Sequence, residues 1–368
     1  MNWRYIADDG VTASFGLAAD EVVTRRQGTG QSPPTLRLYT YRSHCALVGR
    51  FQRIASEIHV EFCRASGIAV NRRPTGGGAI LMGADQLGVA LVLPERADAR
   101  SYDRTRELFQ RFSGGIVAAL ADLGVAAEYR RKNDVEVRGR KVAGLGISFD
   151  PAGGLLFHAS VLVDLDVPLM LHVLQTPFAK ISDKEIATVA ERVTTVRRET
   201  GRALSVAEVR DLLREAYARS LGITLEDSGF SEEELAEIGA LERERYATPE
   251  WLEREPATPD AMGSATLKTL GGLLSAHLTL AGDVIKTVYL TGDFFCDEQV
   301  ISGIERALRW HAAAPERVER TLQQLHDKEG LALPGVPTEA LVRVVASAVE
   351  AARRQEQLAV AKGCFVNP

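Results

Sequence analysis

Gly76, Gly77 and Gly78 run consecutively behind Arg72-Arg73-Pro74-Thr75. A chain gains nothing from three glycines in a core, because they bury no side chain and lose the most backbone entropy on ordering. The run therefore marks a place where backbone turns tightly or comes close to something else. Arginines beside open glycine backbone suit an anion site, where N–H groups and guanidinium forks meet a phosphate or carboxylate. The same composition also suits a glycine-rich hairpin with solvated arginines.

Flanking residues limit the choice. Ile68-Ala69-Val70 reads as a short strand into the run, and Ile80-Leu81-Met82 and 87–93 give a strand–turn–strand pattern after it. A Walker-type phosphate loop needs a lysine with Ser or Thr behind its last glycine, then a helix. Neither is present. Net charge is −5 over 368 residues, so no global basic field points to nucleic acid. No apolar run is long enough for a membrane span. MNWRYIADDG does not read as a signal peptide, and Cys45, Cys63, Cys296 and Cys364 show no metal-ligand spacing. A cytoplasmic protein with reduced thiols is expected.

In chain order, 15–22 has helical spacing, 36–41 alternates as a strand, 57–66 reads as a helix and 102–123 as an amphipathic helix. Asp134 to Val137, 141–149 and 155–165 form a β-meander with turns at Arg138-Gly139-Arg140 and 150–154. If the 150–154 turn closes a regular hairpin, His158 faces roughly Gly146. Ser205 and Glu208 form a capping box for a helix over 205–221. A charged helical stretch at 231–255 ends in Glu255-Pro256-Ala257-Thr258-Pro259. A hairpin around Ala281-Gly282-Asp283 and helices over 300–310 and 315–355 follow. The expected class is α+β: a large catalytic domain, 1–255, with mixed and antiparallel sheets flanked by helices, and a small α+β accessory domain, 256–368.

Three places carry candidate chemistry. One is the glycine run. Another is Lys132-Asn133-Asp134 with Lys141, which precedes the small residues Ala143, Gly144 and Gly146. Lysine there suits a phosphate as a mobile point charge, or is a surface residue of a basic turn. Asp134 suits Mg²⁺, or with Asn133 a turn. His158, the third, suits a carboxylate or phosphate contact, or is a satisfied core histidine. No cysteine falls in these regions, and nothing nearby in sequence activates one.

Arg-Arg-Pro-Thr-Gly-Gly-Gly-Ala at 72–79, Asn133-Asp134, Gly-Arg-Lys-Val-Ala-Gly at 139–144 and Phe-His-Ala-Ser-Val-Leu-Val at 157–163 together resemble the lipoate–protein ligases. Leu17-Ala18-Ala19-Asp20-Glu21, Val48-Gly49-Arg50-Phe51-Gln52, Gly271-Gly272-Leu273 and Thr291-Gly292-Asp293-Phe294-Phe295 extend the resemblance over nearly the whole chain. It implies ATP-dependent conversion of lipoate, or octanoate, to an acyl-adenylate, with Mg²⁺, followed by transfer to a lysine of an acceptor protein. The acceptors implied are the lipoyl domain of a 2-oxoacid dehydrogenase, a glycine-cleavage carrier or a specialised lipoyl carrier. Lys141 would bind the acyl-adenylate. Arg73, Thr75, Gly76, Gly77, Gly78 and Ala79 would line its site, Asn133 and Asp134 would contact ATP and Mg²⁺, and Ala143, Gly144, His158 and Ala159 would border it.

Many of these ligases carry a histidine shortly after the glycines, where this chain has Ile80-Leu81-Met82-Gly83. The rival readings are an octanoyl-carrier-protein transferase of the same superfamily, which resembles this chain at the glycines and the lysine but relies on a catalytic cysteine, a biotin ligase, and a lipoyl-binding factor without catalysis.

Overall fold

The structure is a computed structural model that describes residues 2–95, 102–130, 133–175, 191–252 and 263–363. Its chain forms two units. One comprises Met1–Arg50, Ile54–Thr75 and Ala79–Arg254, and the other Phe51–Arg53, Gly76–Gly78 and Glu255–Pro368. The expected domain boundary at 255/256 lies outside the described residues, as do Lys132 and Cys364.

In the first unit the strands are β1 (Asn2–Val11), β2 (Thr35–Tyr41), β3 (Cys45–Val48), β4 (Ala69–Arg72), β5 (Ile80–Met82), β6 (Gln86–Pro94), β7 (Glu128–Arg130), β8 (Asp134–Val137), β9 (Arg140–Phe149), β10 (Gly154–Leu162) and β11 (Thr224–Asp227). The large sheet runs β11-β1-β2-β6-β10-β9-β8-β7. β1 pairs in parallel with β11 and β2, and the remaining neighbours are antiparallel. A smaller sheet runs β4-β3-β5. The mixed α+β class expected from the sequence is the class observed.

The meander β8-β9-β10 forms as the turn residues dictate. Arg138 and Gly139 make a two-residue turn with φ of 51° and 75°, the left-handed pair that matches strand twist. At the other turn Asp150 Oδ1 accepts from the Ala152 amide at 2.8 Å. His158 pairs with Gly146, the partner expected for a regular hairpin.

The helix Ala13–Gly28 packs on β6 and β10 from one face. The helices Tyr102–Asp122 and Val206–Leu221 pack on each other, and the first brings Phe109 and Phe112 against Phe157 of β10 on the opposite face. Both faces of β2 are thereby covered, and all seven of its residues are buried. This explains why Arg37, polar in the alternation, is 2% exposed. Its guanidinium donates to Asp8 Oδ2 at 2.7 Å, to Asp20 Oδ1 at 2.7 Å and to the Gly16 carbonyl at 3.0 Å, and it lies 4.1 Å from the centre of the Tyr39 ring.

Two expected helices are interrupted. Over 57–66 the chain forms Ile54–Glu57 and then Val60–Ala65, because Ile58 bridges to Leu174 and the His59 amide donates to the Val173 carbonyl. Over 231–255 the α-helix Glu232–Leu241 widens to a π-turn at Glu242–Tyr246 before Pro249–Leu252. The wider turn sends Tyr246 inward, where its hydroxyl donates to Glu21 at 2.6 Å.

The second unit contains the antiparallel sheet β12 (Gly263–Thr269), β13 (Gly272–Ala281), β14 (Val284–Gly292) and β15 (His311–Ala312). Helices Glu298–Leu308, Pro315–Glu329 and Thr338–Gly363 complete its core with Leu274, Leu278, Leu290, Ile304 and Val345. The Phe51 ring stacks on Phe294 at 5.0 Å, and the Gly292 amide donates to the Phe51 carbonyl at 2.9 Å. Gly76 belongs to this packing: a Cβ there would stand 2.1 Å from the Phe294 carbonyl oxygen. Gly77 adopts φ of 94°, a left-handed value that L side chains disfavour. Among the described residues no helix is long and apolar enough to cross a membrane.

Removing the Arg37 charge leaves Asp20 buried without its cation. Arg37→Leu is expected to lower the unfolding free energy by about 3–5 kcal/mol, measured by urea denaturation. A loss under about 1 kcal/mol would show that the carboxylates are satisfied without it.

Candidate active site

A β-strand places residues i and i+2 on one face, so Lys141 and Gly144 belong on opposite faces of β9. They do not stay there. Val135 pairs with Ala143, but the next residue of β8, Glu136, pairs with Lys141. Val142 is therefore an extra residue, a β-bulge, and beyond it the parity of the strand is reversed. Lys141 returns to the face of Gly144, and its Nζ lies 2.9 Å from where a Gly144 Cβ would be. That Nζ is 2.7 Å from Asp134 Oδ1, with the two side chains 32% and 30% exposed. Gly144 pairs with Asp134 on one side and Ser160 on the other. One row across the sheet thus carries an acid, a bare strand position under an ammonium, and a hydroxyl.

Two residues along the strands lies a second row. Gly146 has no side chain, and the His158 ring fills its space: a Cβ on Gly146 would meet His158 Nε2 at 2.3 Å and Thr75 Oγ1 at 3.2 Å. Thr75 Oγ1 and His158 Nε2 share a hydrogen bond of 2.8 Å. Burial, and then the nearby Arg73 charge, lower the His158 pKa to about 3. The imidazole is neutral at physiological pH, a hydrogen-bonding group and a poor acceptor of a catalytic proton.

The two arginines of the glycine stretch are not solvated. Arg72 is 1% exposed and donates to the carbonyls of Trp251, Gly49, Arg50 and Leu252 at 3.0–3.2 Å. Trp251 Nε1 donates back to the Arg72 carbonyl at 3.0 Å. Arg73 is 5% exposed, donates to the Leu47 carbonyl at 2.7 Å, and burial lowers its pKa to about 10. Arg72 thereby fastens β4 to the helix Pro249–Leu252.

The remaining sequence candidates separate. Asn133 braces β9, its Nδ2 donating to the Leu145 carbonyl at 3.1 Å while its own carbonyl accepts from the Leu145 amide at 2.8 Å. Alternation turns the side chains of Ala143 and Ala159 to the face opposite Gly144 and His158, and both are buried. Ala79 packs against the cluster of Ala46, Val48, Ile54 and Leu81. Gly76, Gly77 and Gly78 group with the second unit. Among the described residues no group of three His, Cys, Asp or Glu side chains gathers to hold a metal around Asp134 or elsewhere. Cys45 and Cys63 are buried, and burial raises both thiols.

Sequence reasoning misses Ser160 and Glu199 as site residues. Ser160 follows His158 by two residues on β10, and the strand period of two is the signal that places it on the same face. Glu199 has no local signal. Its carboxylate is 1% exposed and accepts from Arg140 Nη2 at 2.6 Å, from Thr194 Oγ1 at 2.5 Å and from Arg138.

The family model of the lipoyl protein ligase A/B catalytic domain matches residues 12–218. The octanoyltransferase LipM of Symbiobacterium thermophilum is 30% identical over 276 residues, 69% of this chain and 99% of the relative. That of Brevibacillus brevis is 28% identical over 272 residues, 68% of this chain and 98% of its own length. Among solved structures, a bipartite lipoate protein ligase of Thermoplasma acidophilum, studied with its E2 lipoyl domain, has a TM-score of 0.62 at 26% identity, covering 70% of this chain and 100% of that one. LipL1 of P. falciparum, in complex with lipoate, reaches 0.68 over 89% of this chain and 97% of its own at 16% identity, a likeness of fold alone. The octanoyltransferase relatives correct the expectation of ATP-dependent lipoate activation: chains matched over nearly their full length are named for octanoyl transfer.

A histidine held near pKa 3 when folded takes a proton in the unfolded chain near 6.5. Between those values the unfolded state binds more protons, so His158 draws stability down as pH falls below about 6.5 and contributes no such loss above it. The melting temperature of the wild type is expected to fall more steeply from pH 7 to pH 4 than that of His158→Gln, measured by calorimetry. Parallel curves would show that the imidazole protonates in the folded protein.

Proposed function

Because the chain belongs to the family of the lipoyl protein ligase A/B catalytic domain, we propose that it transfers an octanoyl or lipoyl group from a thioester donor, such as an acyl-carrier protein, to the ε-amine of a lysine on a lipoyl-accepting protein. It is an enzyme of the lipoate ligase and transferase family, and protein lipoylation is the modification served. The observation that carries the transferase reading is the near full-length match to octanoyltransferases.

The chemistry is consistent with the site. A thioester is already activated, since its leaving group is a thiolate, so no nucleotide is consumed. The neutral acceptor amine attacks the carbonyl carbon, negative charge builds on the carbonyl oxygen, the C–N bond forms as the C–S bond breaks, and the proton lost by nitrogen ends on the departing thiolate, giving an amide and a thiol. The Lys141 ammonium, carried over Gly144 and paired with Asp134, is the group to stabilise that oxygen. Thr75 and neutral His158 offer hydrogen bonds that orient the acyl group without demanding a charged partner. Turning Arg72 and Arg73 toward main-chain carbonyls also suits a substrate without a triphosphate.

The resemblance drawn from the sequence implies a cysteine nucleophile for a transferase of this superfamily. Cys45 and Cys63 are buried with thiols raised by burial, and neither is poised as a nucleophile; Cys296 belongs to the second unit and Cys364 lies outside the described residues. In this reading the amine attacks the donor thioester directly.

The test is incubation of the protein with an octanoyl-carrier-protein thioester and a lipoyl domain, without nucleotide, followed by intact-mass measurement of the lipoyl domain. Gain of one octanoyl group is expected. Acylation that proceeds only from free acid plus ATP would overturn the proposal. Lys141→Ala is expected to slow transfer by about 100-fold or more with an unchanged circular dichroism spectrum. A near-normal rate would remove Lys141 from the mechanism.

A further inference from the structure

Glu199 takes no part in the chemistry proposed above, yet its contacts converge on the residue that does. We propose that Glu199 is a positioning residue for Lys141, fixing the strand register from which the lysine reaches Gly144 and Asp134. The inference rests on the assignment of Lys141 to the reaction.

Lys141 is held on two edges. On one it pairs with Glu136 of β8. On the other, β10 has stopped pairing at Val161 opposite Ala143, and the segment 192–194 takes its place. The Lys141 amide donates to the Arg192 carbonyl at 2.9 Å, and the Lys141 carbonyl accepts from the Thr194 amide at 2.8 Å. The bulge at Val142 leaves one residue out of the ladder, so the placement of Lys141 depends on what holds the strand on either side of it.

Glu199 ties both parts together. It accepts from the Thr194 hydroxyl, which fixes the segment on the second edge, and from Arg140 and Arg138, which fix the turn immediately before Lys141. Burial works against its charge, but the contacts with Thr194, Arg138 and Arg140 outweigh it and hold the carboxyl below its usual range. Arg138 has φ of 51°, a conformation that favours Gly or Asn over Arg. The ion pair to Glu199 is a reason for arginine to stand there.

Such a clamp acts on rate through placement, since a shift of about 1 Å at a reacting group costs about 100-fold. Glu199→Gln is expected to lower kcat for octanoyl transfer by about 10- to 100-fold while the donor KM stays within about two-fold. In a Lys141→Ala background the same substitution is expected to add no loss, because it acts only through the lysine. Arg138→Gly removes one arm of the clamp while giving the turn its preferred residue, and is expected to lower kcat several-fold at an undiminished melting temperature.

An equal loss in both backgrounds, or an unchanged kcat, would overturn the proposal. Labelling keeps the clamp testable if the wild type transfers nothing from a thioester. The intact wild type and both variants are treated with an amine-reactive acyl ester and read by peptide mass spectrometry. Altered labelling of Lys141, with Lys268 and Lys286 unchanged, supports the clamp. Identical labelling of Lys141 in all three proteins overturns it.

Discussion

Strict alternation forbids a strand from presenting residues three apart on one face, and the proposed chemistry needs that arrangement at Lys141 and Gly144. The bulge at Val142 resolves the conflict. Without it Lys141 would point with Ala143 toward the helix-covered face, where an ammonium is costly to bury. With it, the lysine lies over a glycine that leaves room for its stem and beside an aspartate that balances its charge. The neighbouring strands then need only supply their own alternating residues, which is how Ser160 and His158 arrive on the same face from β10.

Much of this was legible in the sequence. Both meander turns announce themselves through residues that tolerate left-handed backbone or cap it locally, and a hairpin register follows from its turn, so the meeting of His158 and Gly146 could be read directly. Bulges carry no such mark. Nothing in Lys141-Val142-Ala143 differs from an ordinary strand, and the extra residue appears only when β8 is laid beside β9. Glu199 was hidden for a related reason. Its partners Arg138 and Arg140 lie some 60 residues earlier, and a burial that depends on distant partners leaves no local pattern.

The glycine and arginine stretch was less legible in its contacts. Its composition suits an anion site because guanidinium forks stand beside open glycine backbone. In the fold, Arg72 and Arg73 are buried and their charge is directed at carbonyl dipoles, a structural use of the same donors that bind phosphate elsewhere. Gly76 is small because main chain at Phe294 needs the space. The motif identified the family correctly through residues whose observed contacts are largely architectural. That helps explain why it could not separate ligation from transfer: a shared scaffold signature reports the scaffold.

The second unit draws Phe51–Arg53 and Gly76–Gly78 from within the span of the first. During synthesis these short segments leave the ribosome well before the sheet and helices with which they pack. Phe51, whose ring completes the core at Phe294, has no counterpart to bury against until the last third of the chain is made. Nor can either unit be cut out with a single pair of scissors, since the backbone passes from one to the other at each end of both segments. The threading makes one ring wait on distant chain: a chain that stops before Phe294 leaves Phe51 without the ring it stacks on.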